Sequence, residues 1–162
     1  MKRKKVLFIC TGNTCRSPMA EAIFRAEIKR RKIKFVDAAS AGIFAENSEC
    51  INENSAVCLT ELGIDFSKFQ PRQLKHKMIE TSYIVICMTR SQSELLNTFD
   101  NVYSMEEIAG FDIPDPYGCG LGVYKKTAEL IKIATDKIIE KFFAEELQAA
   151  SRPNNKKSGG KV

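Results

Sequence analysis

Apolar positions follow two rhythms along this chain. Val6-Leu7-Phe8-Ile9 and Tyr83-Ile84-Val85-Ile86-Cys87-Met88 are unbroken apolar runs. Short continuous runs of this kind fit strands buried on both faces. Phe35–Ala41 reads as another short strand, ending in Ser40-Ala41-Gly42, and Val102-Tyr103 as a short edge strand. Elsewhere the apolar residues fall at helical spacing. Met19, Ala22, Ile23 and Ala26 mark a helix over Pro18–Arg31. Ala56, Leu59 and Leu62 mark one over Asn52–Leu62, stopped by Gly63. Ile131, Ala134, Ile138, Ile139, Phe142 and Phe143 mark a long one over Tyr124–Leu147. Leu74–Glu80 and Met105–Ala109 predict short helices, and Ser91–Phe99 a longer one capped at Ser91 or Ser93. Asp65–Gln73 and Gly110–Gly122 have the Pro, Gly and Asp content of loops.

Strands that alternate with helices predict right-handed crossovers and a parallel sheet. The expected fold is a single α/β domain over 1–147: a four-stranded parallel sheet in flavodoxin-like order, with helices on both faces. Ligands in such sheets sit beyond the carboxyl ends of the strands, where Cys10 falls. The length of 162 residues and the 44% hydrophobic content suffice for one real core. The net charge of +5 is mainly a property of the end of the chain. From Gln148 onward Arg152, Lys156, Lys157 and Lys161 meet no acid. Without those four, the basic residues nearly balance the 20 acids, which argues against a nucleic-acid partner. Residues 148–162 are expected to be a disordered basic tail. Lys29–Lys34 is a second basic cluster, suited to the negative end of the first helix.

No apolar run approaches the roughly 20 residues of a membrane span, and Met1–Lys5 leads into a strand rather than a signal peptide, so a cytoplasmic chain is expected. The six cysteines form no C-x2-C pair and there is one histidine, so no zinc site is expected. His76, in a lysine-rich stretch, reads as a surface residue. Phe44 either lines a cleft or caps the core. Arg72 has no evident role.

The chemistry concentrates in Cys10-Thr11-Gly12-Asn13-Thr14-Cys15-Arg16-Ser17-Pro18. A buried strand ends here, Gly12 and Asn13 let the backbone turn back, and a helix restarts with Ser17 as N-cap and Pro18 as first helical residue. Such a strand–loop–helix start aims backbone N–H groups and the positive end of a helix dipole at one point, which makes an anion site. The same field favours the thiolate form of Cys10. Arg16 supplies a planar fork of donors matched to phosphate oxygens. The Ser17 hydroxyl can donate to the sulfur. Cysteine attack on phosphorus follows, with the loop holding the equatorial oxygens. Such a route needs a proton donor for the leaving group. Asp115, in Ile113-Pro114-Asp115-Pro116-Tyr117-Gly118, is the candidate, because flanking prolines restrict where its carboxylate points. Asp-Pro is also an ordinary turn opener.

The Cys10–Pro18 loop, the Ser40-Ala41-Gly42 triplet and the Asp115-Pro116-Tyr117-Gly118 loop, in this order and spacing, resemble the low-molecular-weight protein tyrosine phosphatase family. The resemblance implies Cys10 as nucleophile, Arg16 as phosphate clamp and Asp115 as general acid. Thr11, Gly12, Asn13, Thr14, Cys15, Ser17 and Tyr117 would surround the substrate. Asn13 would hold the loop's strained backbone, and Cys15 would be the redox partner of Cys10. No metal or cofactor would be needed. Phosphorylated proteins would be the substrates, and phosphate or vanadate the active-site anion.

Two positions depart from the tyrosine-specific pattern. Thr14 stands where an aliphatic residue is usual, and a hydroxyl there can accept a hydrogen bond from a guanidinium. Thr89 stands where an aspartate is common. Both resemble the protein-arginine phosphatase branch, which cleaves the P–N bond of phosphoarginine. Tyrosine phosphatase activity is the alternative. Thioredoxin-coupled arsenate reductases share the scaffold but use two further cysteines close together, and here Cys87 is followed next by Cys119.

Overall fold

The computed structural model describes residues 2–45, 48 and 50–153. Four strands, β1 (Lys4–Cys10), β2 (Val36–Gly42), β3 (Ile84–Cys87) and β4 (Val102–Ser104), form one sheet. Their order is β2-β1-β3-β4 and every pairing is parallel, as expected. Helix α1 (Arg16–Arg30) connects β1 to β2, and α2 (Glu53–Glu61) and α3 (His76–Glu80) lie between β2 and β3. Then come α4 (Arg90–Glu94), α5 (Met105–Ala109), α6 (Leu121–Phe142) and α7 (Ala144–Ser151).

The apolar runs are continuous because the sheet is covered on both sides. Val6, Phe8 and Cys10 of β1 face a core shared with Phe24 of α1, Leu59 of α2 and Ile131 of α6. Leu7 and Ile9 face a smaller core with Ile79 of α3, Leu96 and Phe99. The crossovers diverge at β1, between β2 and β3, so the crevice at its carboxyl end opens beside Cys10. No described helix is long and apolar enough to cross a membrane.

Three expectations are corrected. The long carboxyl-terminal helix is two helices, broken at Phe143 (φ −130°, ψ 27°). The break turns the Phe143 ring into the core, 6.0 Å from Phe24 and 5.7 Å from Tyr83, while Phe142 packs 5.0 Å from Tyr103. Burying such a ring is worth about 1.5–3 kcal/mol, more than the roughly 0.5–1.5 kcal/mol net of one interrupted helical hydrogen bond. Second, the stretch expected as a disordered tail from Gln148 is helical through Ser151; residues 154–162 lie outside the described residues. Third, α4 is only five residues long and starts at Arg90. Its cap is Thr89, not Ser91 or Ser93: the Thr89 hydroxyl accepts from the Gln92 N–H (3.3 Å) while Gln92 Oε1 accepts from the Thr89 N–H (3.2 Å).

Candidate active site

The loop after β1 is held open from outside. Five of its carbonyls, those of Cys10, Thr11, Gly12, Thr14 and Cys15, accept from groups beyond it. The Ile43, Phe44 and Asn52 N–H groups bond the carbonyls of Cys10 (3.0 Å), Thr11 (2.8 Å) and Thr14 (2.8 Å). The Ser48 and Ser55 hydroxyls bond those of Gly12 (2.9 Å) and Cys15 (3.3 Å). Among the described residues, the N–H groups of Gly12–Cys15 enter no backbone hydrogen bond. Carbonyls turned out and N–H groups left unbonded are the make-up of an anion-binding nest. Asn13 takes the left-handed conformation (φ 55°) that the turn demands.

Asn13 is also the hub beneath the loop. Its Oδ1 accepts from the Arg72 N–H (2.9 Å), which fixes the amide's orientation. Its Nδ2 then donates to both Ser17 Oγ and Ser40 Oγ (2.9 Å each). With both hydroxyl oxygens accepting, their protons point onward. Ser17 Oγ lies 2.7 Å from Cys10 Sγ, where it donates to the thiolate form, and Ser40 donates to Glu21 Oε2 at 2.6 Å. Ser17 is therefore not the helix cap. That position falls to Cys15, whose side chain makes no cap hydrogen bond, and α1 begins at Arg16. The series continues through the Glu21–Arg25 ion pair (3.2 Å) to Asp37, 3.1 Å from Arg25 Nε. Burial pushes the Glu21 carboxyl above its ordinary value, and the Ser40 hydrogen bond and Arg25 pull it back. Ser40, Glu21 and Arg72 were given no role by the sequence. Gly42 is required by space, since a Cβ there would lie 2.7 Å from the Thr11 carbonyl oxygen and 2.9 Å from the Asn13 nitrogen.

Arg16 is buried at the helix start, with Nη1 donating to the Ile113 carbonyl (3.0 Å) and Nη2 3.7 Å from Asp115 Oδ2. The Asp115 side chain is 55% exposed, and its Oδ1 accepts from the Tyr117 N–H (3.1 Å), an Asx turn that anchors the carboxylate. A cleft of about 500 Å³ opens beside the loop, with Arg16 and Asp115 in its lining. Phe44, Ile43 and Leu95 form its apolar wall, so Phe44 lines the cleft instead of capping the core. Thr11, Thr89, Ser91 and Gln92 form the polar wall. Gln92 was missed from sequence, although Thr89-x-x-Gln92 is the spacing of a reciprocal helix cap. A hollow of about 610 Å³ at the other end of the sheet, lined by Phe35, Lys32 and α7, contains none of these groups.

Of the expected substrate neighbours only Thr11 is in the cleft lining; Gly12, Asn13, Thr14, Cys15 and Ser17 belong to the loop beside it. Tyr117 is 74% exposed and not in that lining. The half-buried Thr14 hydroxyl lies 3.8 Å from Cys15 Sγ. Cys15 Sγ in turn lies 3.4 Å from the Tyr124 hydroxyl, whose ionisation burial and then this contact push upward. Both Cys10 and Cys15 are free thiols. Cys87 is buried at the end of β3, and burial pushes its thiol up to about 12, so it stays protonated at neutral pH.

A family model described as low molecular weight phosphotyrosine protein phosphatase matches residues 5–151. The chain is 29% identical over 150 residues to a protein-arginine-phosphatase from Geobacillus stearothermophilus, covering 88% of this chain and 98% of that one. It is 31% identical over 132 residues to a protein-arginine-phosphatase from Bacillus subtilis (strain 168), covering 76% and 87%. Among solved structures it is similar to a low molecular weight protein tyrosine phosphatase from T. tengcongensis, with a TM-score of 0.80 and 40% identity over 85% of this chain and 99% of that one.

Proposed function

The chain belongs to the low molecular weight phosphotyrosine protein phosphatase family, and from that premise we propose that it removes phosphate from phosphoarginine in proteins through a cysteinyl-phosphate intermediate. The Cys10 thiolate attacks phosphorus in line with the leaving nitrogen. Arg16 and the loop N–H groups hold the three equatorial oxygens as charge moves across them. As the P–N bond breaks, Asp115 gives its proton to the departing guanidine. Asp115 then takes a proton from water, which attacks phosphorus. The P–S bond breaks, inorganic phosphate leaves, and the sulfur regains its negative charge beside the Ser17 hydroxyl. Phosphate and vanadate are expected to compete with substrate for the same nest.

What supports arginine over tyrosine is the hydroxyl of Thr14, which lies in the anion loop although not in the lining of the open cleft. A hydroxyl can accept from a guanidinium N–H, whereas an aliphatic side chain there packs better against a phenol ring. The similarity to two proteins named as arginine phosphatases supports the same reading. The 40% identity to a tyrosine phosphatase structure favours the second reading, activity on phosphotyrosine. Kinetics run side by side on a phosphoarginine protein and a phosphotyrosine peptide decide between them. Thr14→Ile is expected to move the ratio of kcat/KM about tenfold toward phosphotyrosine, the worth of about 1.4 kcal/mol. An unmoved ratio removes the basis for choosing arginine.

A further inference from the structure

The polar wall of the cleft is more ordered than a surface of threonines and serines needs to be. Gln92, although it lines the cleft, is only 7% exposed. Its Oε1 accepts from the Thr89 N–H, so the amide can face in one direction only and Nε2 must point away from Thr89. Nε2 donates to Thr11 Oγ1 at 3.3 Å, from a helix start to a loop 81 residues earlier. The Thr11 main chain is pinned independently, its carbonyl accepting from the Phe44 N–H. The Thr11 hydroxyl thus accepts from Gln92 with one lone pair, keeps the other, and stands in the lining that also holds Asp115 and Arg16. Beside it, Thr89 Oγ1 and Ser91 Oγ lie 3.1 Å apart. The wall is neutral and rich in oxygen.

We propose that Gln92, acting through Thr11, sets the preference of this site for a guanidinium over an aryl leaving group. The inference rests on the phosphoarginine reading and extends it to residues outside the anion loop's own Thr14. A phosphorylated guanidinium carries N–H donors around its planar edge. One carboxylate, Asp115, cannot face all of them, and each N–H that gives up water to the wall needs an acceptor there. A threonine oxygen held in place by an amide is a neutral acceptor that loses little rotational freedom on binding. An aryl phosphate presents only C–H edges to the same wall, gains no hydrogen bond from it, and strips water from it. The Gln92 amide therefore favours one leaving group without touching phosphorus. Gln92 is a positioning residue, and Thr11 is the group that meets substrate.

The test compares kcat/KM for a phosphoarginine protein with kcat/KM for p-nitrophenyl phosphate. The enzymes are wild type, Thr11→Val, Gln92→Leu and the double variant. Each single substitution is expected to lower the arginine-to-aryl ratio about tenfold, the scale of one neutral hydrogen bond. The double variant is expected to fall no further than the worse single one, because both remove the same contact. Thr11→Ser keeps the hydroxyl and should restore the ratio. Gln92→Leu also removes half of the α4 cap; Thr11→Val leaves that cap intact, so the inference stands or falls on it if Gln92→Leu does not fold. Losses equal for both substrates assign the pair a structural role and overturn the inference, as do fully additive effects. Wild-type enzyme that hydrolyses the aryl ester but not phosphoarginine overturns the arginine reading and this inference together. Wild-type enzyme active on phosphoarginine, with a ratio unmoved in Thr11→Val, overturns this inference alone.

Discussion

Ser17→Ala isolates the contact that the rest of the anion loop supports. The substitution removes a hydroxyl 2.7 Å from Cys10 Sγ in a fully buried position. The Arg72 N–H occupies Asn13 Oδ1, so Asn13 donates to Ser17. A Cys10 thiolate has no proton to give, so in that form the Ser17 hydroxyl is the donor. A hydrogen bond to a charged group is worth about 1.5–3 kcal/mol. That stabilisation matters most when the sulfur regains its charge, as the phosphoenzyme breaks down. At about 1.36 kcal/mol per tenfold, breakdown slows roughly 10- to 100-fold. In the first step the loss is partly offset, because a sulfur without its hydrogen bond is more nucleophilic. Phosphoenzyme should therefore accumulate. Stopped-flow mixing with p-nitrophenyl phosphate should show a burst of p-nitrophenol approaching one equivalent per site, followed by a steady rate reduced roughly 10- to 100-fold. Asn13 also loses an acceptor, a cost of about 1–3 kcal/mol. Melting should fall by several degrees without loss of the folded baseline. A steady rate within twofold of wild type and no burst would refute the assignment of the Ser17 proton to Cys10.

Three further outcomes are expected. Asp115→Asn should slow substrates with poor leaving groups far more than p-nitrophenyl phosphate, as a lost general acid does; equal slowing measured across a series of aryl phosphates would remove Asp115 from that role. Gly42→Ala places a Cβ 2.7 Å from the Thr11 carbonyl oxygen and 2.8 Å from Ala45 Cβ. It should cost about 1–3 kcal/mol in a denaturant titration and weaken phosphate inhibition, and a neutral result would mean the loop yields to the methyl. Glu27 is held down to about 2, from an ordinary 4.5, by its hydrogen bonds to Arg30 and then Arg31. A depressed carboxyl stabilises the fold above its unfolded value and loses that contribution as pH falls toward 2. Melting curves of Glu27→Gln and wild type should therefore differ near neutrality and converge between pH 4.5 and 2, whereas a constant difference would assign the effect to packing.

The parts of the site that were legible in the sequence are those where a local pattern has one physical meaning. An apolar run ending in Cys-x5-Arg, with residues between that allow positive φ, can hardly be anything but a strand entering an anion loop, and Asn13 does take φ 55°. The parallel pairing follows from the alternation of strands and helices, and the order β2-β1-β3-β4 is the flavodoxin-like one expected. The misreadings come where one pattern serves two structures. Ser17 before Pro18 allowed both a helix cap and a bond to the sulfur seven residues back, and only the second forms. Phe142 and Phe143 both fit a continuing helix stripe, and only packing against Phe24, Tyr83 and Tyr103 makes breaking it favourable. Ser40 was visible only as part of the Ser40-Ala41-Gly42 triplet, and its bonds to Asn13 and Glu21 were not, because they span 27 and 19 residues. Arg72 offers only its main-chain N–H to Asn13, which no side chain announces.

The same long-range contacts explain why the loop can hold charge without rearranging. An isolated loop with this sequence would turn its carbonyls as readily as its N–H groups toward any guest. Here Ile43 and Phe44 after β2, with Asn52 and Ser55 at the start of α2, take the carbonyls outward. The orientation is settled during folding, with the burial of the β1 and β2 cores, and not when an anion arrives. Donors oriented in advance lose no free energy to reorganisation at the moment of reaction. It follows that substitutions at these outer contacts, several residues from any substrate atom, should reduce phosphate affinity and turnover together, whereas changes on the cleft wall at Thr11 or Gln92 should alter which leaving group is accepted. The backbone around Cys10 would then determine that an anion is bound, and the wall that faces it which group departs.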